Sequence, residues 1–275
     1  MEHLDYIETK EEMFSSLVKL SLPAMFSMFI QSLYNIVDSY FVSALGEKAL
    51  RAVSISFPIQ IIIIALGVGT GVGVGAFASR HFGAKKKERS DQAAMHGLIL
   101  AFVTWLLLLA FSFFTPHFFR LFSDNETVIS LGADYLSIIS RFSLFSLIQI
   151  VGEKTLQGSG DMISPMIAQM IGAVGNIILD PIFIFVFGWG VKGAAIATVT
   201  AQMFASLFSL WAMFSKRSKY DMDFSKFKFD WVIVKDIYEV GLPSILLQSI
   251  GALLTIFLNR LLGRFDEIAV SVLGL

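Results

Sequence analysis

The chain has 275 residues, 55% of them hydrophobic, with 27 Phe and a mean hydropathy of +0.72, which leaves too little polar surface to cover a soluble globule. A formal net charge of −1 and a pI of ≈ 6.4 supply no basic field for nucleic acid, and the absence of cysteine excludes disulfides, thiolate metal sites and a cysteine nucleophile. What remains is an all-α, polytopic membrane helix bundle.

The acidic residues 1–14 read as an N-terminal segment outside the membrane, and the apolar stretch after them is too long, and lacks the small-residue site, for a cleaved signal peptide. A helix needs about 20 apolar residues at 1.5 Å each to cross about 30 Å of hydrocarbon. Such runs predict spans near 15–44, 52–79, 92–114, 129–150, 162–187, 191–214 and 237–262, with an eighth from Ile268. They group into a six-helix N-terminal lobe (15–215), a basic linker (216–236) and the start of a second lobe (237–275). Lys and Arg orient them. The N-terminal segment and the loops that follow even-numbered spans carry thirteen, among them the Lys85–Arg89 cluster and the linker lysines, against four (Lys48, Arg51, Arg120 and Lys192) on the other side, which puts the N-terminus in the cytoplasm.

Span one carries Gln31, Asn35 and Asp38 as an i, i+4, i+7 stripe, with Tyr34 beside it. An ionised carboxylate deep in a bilayer costs roughly 2.5–3.5 kcal/mol even on the lenient insertion scale, so such a residue marks an ion or substrate path. In span two, Gly67, Gly71 and Gly75 follow the small-xxx-small spacing of close helix packing or a hinge; without a following Lys-Ser/Thr they do not form a phosphate loop. The Lys85–Arg89 cluster acts as a topology determinant, with lipid headgroups as a secondary ligand. His81, His96 and His117 have no metal-ligand spacing. Arg141, near the middle of span four and deeper than the acids, would either pair with Asp38 or shape a central cavity. Span five carries Asn176 and Asp180 four residues apart on one face, followed by Pro181, which removes a backbone donor and allows a kink. Thr198 lies about seven residues into span six.

Spans one and five run outward and span six inward, so Asp38, Asp180 and Thr198 all fall roughly 10 Å below the outer surface. Two carboxyls, two amides and a hydroxyl would meet there. Carboxyls within a few ångströms titrate as a coupled unit, which suits proton uptake, and the same oxygen donors would equally hold a dehydrated Na⁺. No other metal and no cofactor is expected. The bland alternative is a buried polar knot that only fixes helix packing. A shift of 220 residues lays Leu22-Pro23 on Leu242-Pro243, with a further match of Asp38 to Asn259 after a one-residue slip, as in a parallel repeat of two lobes.

The stretches 37–46 (VDSYFVSALG), 79–85 (SRHFGAK) and 156–161 (LQGSGD), and above all 176–181 (NIILDP) with 193–198 (GAAIAT), resemble the multidrug and toxic compound extrusion (MATE) transporters, the likeness covering essentially the whole chain. The resemblance implies a twelve-helix antiporter of two six-helix lobes in the cell membrane, expelling cationic or amphipathic drugs in exchange for H⁺ or Na⁺. It places the cation site at Asp38, Asn176 and Asp180, lined by Thr198, with Gln31, Tyr34, Asn35 and Arg141 as cavity-lining candidates. Spans eight to twelve of that pattern are not in this sequence, so a partner lobe would be needed for the full cycle. Three rival readings stand beside it: a flippase for a lipid-linked precursor, which would favour a wide cationic cavity; a seven-span receptor, which would begin outside the cell; and a transport-inactive membrane fragment.

Overall fold

The computed structural model describes residues 10–262; residues 1–9 and the predicted eighth span from Ile268 lie outside the described residues. Among the described residues there are nine α-helices and no strand. They are α1 (Lys10–Ser43), α2 (Glu47–Gly83), α3 (Lys87–Phe111), α4 (Thr115–Arg120), α5 (Glu126–Arg141), α6 (Ser143–Gly158), α7 (Ile163–Pro181), α8 (Gly190–Phe214) and α9 (Trp231–Leu262). Several turns between them carry backbone that only glycine adopts freely: φ is 99° at Gly46, 86° at Gly160 and 68° at Gly188.

Helices α1, α2, α3 and α9 begin about five residues before the predicted apolar windows, because hydropathy marks the hydrocarbon and not the helix end. The fourth span differs most. Helix α5 starts at the Asn125 cap, whose side chain accepts from the backbone of Thr127 at 3.0 Å. It breaks after Arg141 and resumes as α6 at an angle of 49°, carrying the span on to Gly158. The seventh also starts early, at Trp231 instead of 237, because Asp230 Oδ1 caps it by accepting from Val232 N at 2.8 Å. The irregularity expected at Pro181 takes the form of a π-helical turn, Ile182–Val186, in which Phe187 N donates to Ile182 O at 2.9 Å.

Helix α2, the unit Lys87–Arg120 (α3 and α4), α7 with its π turn, and α8 are each long and apolar enough to cross a membrane, and the bent pair α5–α6 forms a fifth, broken span. Helices α1 and α9, with 34 and 32 residues, exceed the length that a crossing requires. The chain is a multi-pass membrane protein. Met28, Phe29 and Ile36 on α1 and Leu247, Leu253 and Phe257 on α9 present apolar surface outward, as a helix facing lipid or further helices must.

The glycine run of α2 packs on two sides at once. Gly67, Gly71 and Gly75 face α6, where a Cβ on Gly75 would stand 2.7 Å from the Lys154 carbonyl oxygen. Gly69 and Gly73, a half-period out of phase, face α9 at Gly241, Ile245 and Ile237. Two interleaved small-xxx-small rows therefore let one helix approach two others at backbone distance, which the predicted spacing identified for only one of them.

The segment between α8 and α9 is held against one end of the bundle. Asp91 Oδ1 accepts from Asp221 N at 3.0 Å, and Gln92 bridges Lys226 O at 2.8 Å and Lys228 N at 3.1 Å. His96 accepts from Asp230 N at 3.0 Å, its ring lying near those of Phe227 and Phe229. Tyr220 donates its hydroxyl to Thr155 O at 2.7 Å; burial and then the charge of Asp91 push this phenol above its ordinary range, so it stays a proton donor. This is the end that gathers Lys85–Arg89 and the linker lysines. At the opposite end Lys192 pairs with Asp134 at 3.1 Å across α8 and α5.

Candidate functional site

Helix α7 is drawn onto α8 by small residues: a Cβ on Gly175 would lie 3.5 Å from Ala201, and one on Gly172 3.5 Å from Ala205. At the far end Gly193 sits on the Phe183 carbonyl of the π turn, where a Cβ would come within 2.5 Å of that oxygen. This close seam brings Asn176 and Asp180 against Thr198. All three are buried, Asp180 completely (0% exposed). An acceptor-only carboxylate requires a donor, so the Asn176 amide nitrogen turns to Asp180 Oδ2, and its oxygen accepts from Thr198 Oγ1 at 3.1 Å.

Helix α1 closes the site from the other side. The Asp38 and Asp180 carboxyls lie within hydrogen-bonding reach of each other, and Tyr34 joins Asn176 and Thr198 in lining one cavity. Asp38 Oδ1 and Asp180 Oδ1 are both buried without a hydrogen-bond partner in the protein. Two acceptor oxygens left over at the meeting point of three helices are what a bound proton or a hard cation would satisfy.

Below this pair lies a cavity of about 60 Å³, lined by Gln31, Tyr34, Gln149, Gln169, Asn176 and Thr198 among others. That is ample for ordered water, and its walls supply the polar partners water needs. Gln169 of α7 donates to Gln31 of α1 across it.

The structure thus brings together Asp38, Asn176, Asp180, Thr198, Gln31 and Tyr34. It does not bring Asn35, which is exposed at the edge of the face of α1 that carries Gln31, Tyr34 and Asp38. Nor is Arg141 among the residues that line this cavity: it is exposed at the α5–α6 break, its Nε donates to Ser112 Oγ at 3.4 Å, and its guanidinium stands 5.6 Å from the Phe113 ring centre. Sequence reasoning missed Tyr135, buried in α5 at 2% exposed and within the electrostatic reach of Asp38 and Asp180. The depth rule that selected Thr198 would have found it, since Tyr135 lies nine residues into α5 from the same end of the bundle.

Residues 23–182 match the MatE family model. Over its whole length the chain is 29% identical to the multidrug export protein MepA of Staphylococcus saprophyticus, of which it covers 61%. Over 94% of its length it is 28% identical to the FAD transporter of Shewanella oneidensis, covering 58% of it. Its fold matches a solved inward-facing conformation of a multidrug resistance MATE family transporter of the MOP superfamily with a TM-score of 0.86 and 35% identity, over 94% of this chain and 60% of that one. The chain therefore spans about three-fifths of the length of these relatives.

Proposed function

Because the chain belongs to the MatE family, we propose that it works in secondary active export of cationic or amphipathic drugs, driven by the inward movement of H⁺ or Na⁺ through alternating access. The observation that carries this reading is the Asp38–Asp180 pair, with one buried, unpartnered oxygen on each, bridged to Asn176 and Thr198. The cavity beside the pair is lined by neutral amides and hydroxyls and by no arginine, which favours a coupling ion over the anionic headgroup of a flippase substrate.

In the proposed cycle the ion enters from the outer side and neutralises the carboxyl pair. That removes the repulsion between α1 and α7 and lets both pack against α8. The π turn after Pro181 gives α7 a place to change shape as this happens. The packed form of the lobe binds drug less well, so the drug leaves outward. Such coupling requires each ligand to prefer a different state, and reciprocity then makes the drug weaken ion binding by the same factor. The second lobe, against which this one would move, begins with α9, whose Pro243 takes the position of Pro23 in α1. Multidrug export by MepA supports the choice of substrate class.

Vesicles loaded with a cationic dye test the reading directly. Chain-containing vesicles, compared with a version extended through a second lobe, should lose dye only when an H⁺ or Na⁺ gradient opposes it. Dye loss that ignores both gradients rejects ion-driven export.

The charge bias supports a cytoplasmic N-terminus, with the basic end of the bundle inside. A chain without native cysteine makes this easy to check. Lys86→Cys should be protected from an impermeant thiol reagent in intact cells, and Asp124→Cys, exposed at the other end, should react. The reverse pattern would invert the orientation.

A further inference from the structure

One buried acid has no part in the site above. Glu153 of α6 is 6% exposed and its carboxylate accepts from Gln149 Nε2 at 2.9 Å. Gln149 in turn lines the cavity that reaches Asn176, Thr198 and Tyr34 at its other side. The polar network thus runs from the aspartate pair, through the cavity walls, to Glu153. Asp180 lies 17 residues along α7, and Glu153 five residues before the end of α6 at the same face of the bundle. At 1.5 Å per residue the two are separated by roughly 18 Å across the membrane.

The surroundings of Glu153 are nearly free of charge. Lys154, on its own helix, is the charged residue whose field acts on it, and that ammonium donates to Gln157 Oε1 at 3.1 Å. Helix α8 turns Ser209 and Met213 toward this part of α6, α2 brings Gly71 and Gly75, and α7 brings Gly172. The Ser209 hydroxyl is buried without a partner. Glutamine side chains hold water in place, whereas a carboxyl can exchange a proton with it.

We propose that Glu153 is a second proton-binding station of this lobe, passing protons between the Asp38–Asp180 pair and the basic end of the bundle through water held in the glutamine-lined cavity. The handover moves a proton from one carboxylic acid to the other carboxylate, with water relaying it unchanged. This rests on the reading of Asp38 and Asp180 as the ion-binding pair.

Infrared difference spectra of the full chain in lipid vesicles, between acid and alkaline buffer, test it. A carboxylic-acid band should vanish in Glu153→Gln, shift in Glu153→Asp, and persist in the Asp38→Asn/Asp180→Asn double variant. Gln149→Leu, which cuts the link, should slow deuterium uptake at the aspartate bands. Aspartate bands that are present while both Glu153 variants leave the spectrum unchanged overturn this proposal alone, as does deuterium uptake indifferent to Gln149→Leu. A spectrum with only the Glu153 band overturns the reading of the pair instead.

Discussion

Asp180→Asn will abolish gradient-driven dye efflux while leaving the chain inserted and folded. The substitution preserves shape, and the new amide can still accept from Asn176 and donate to Asp38, so the seam between α7 and α8 stays closed. What disappears is a charge at a fully buried position. Removing one member of a buried charged set is worth about 3–5 kcal/mol, and each 1.4 kcal/mol is about tenfold in affinity, so ion binding should weaken by roughly a hundredfold or more. Asp38→Asn should behave alike, because the two carboxyls share the site. Thr198→Val, which deletes a neutral hydrogen bond of about 1 kcal/mol, should weaken binding only severalfold. The measurement is the H⁺ or Na⁺ dependence of efflux in vesicles with matched amounts of inserted protein. Wild-type efflux from the Asp180→Asn variant would sink the site assignment.

The second large effect is structural. Gly75→Ala should lower the thermal unfolding midpoint of the purified chain by about 2–12 °C, whereas Gly83→Ala, on the same helix, should leave it unchanged. A Cβ on Gly75 meets the Lys154 carbonyl oxygen at 2.7 Å, and a Cβ on Gly158 would meet the Gly75 carbonyl oxygen at 2.6 Å. Both partners are backbone, so neither can rotate away and the helices must part. Overpacking of this kind costs about 1–3 kcal/mol, each kcal/mol shifting the midpoint of a domain this large by about 2–4 °C. At Gly83 nothing lies within 4 Å, which makes it the control. Gly73→Leu should act on a different contact, pushing α9 off α2 at Ile237 and loosening the junction with the second lobe before the six-helix lobe itself. Equal midpoints for Gly75→Ala and Gly83→Ala would show that the seam is looser than its geometry requires.

Much of this protein is written along its sequence. The spans were legible because transfer from water to hydrocarbon is decided within a window of about 20 residues, whatever the neighbours do. Asp38, Asn176, Asp180 and Thr198 were legible for a related reason. Polar groups are rare in such windows, and counting residues from a helix end converts position into depth. Depth, however, is only one coordinate. The direction in which a side chain points depends on rotation about the helix axis, which is set by the helices packed against it. That is why Asn35, on the predicted stripe, faces outward while Tyr34 beside it enters the site.

The bend after Arg141 shows the same limit more sharply. No proline or glycine announces it, yet Arg141 stands beside Phe113, and the helix that follows the bend carries Glu153, beyond the predicted window's end at 150, into the buried interior of the bundle. The glycine run of α2 was readable as a packing row, but only the position of α9 reveals the second row, Gly69 and Gly73, interleaved with the first. Composition and spacing therefore determined which segments lie in lipid and at what depth their polar groups fall, because the solvent acts on each residue separately. Tertiary packing decided which of those groups touch, because helix rotation and bending depend on many contacts made at once.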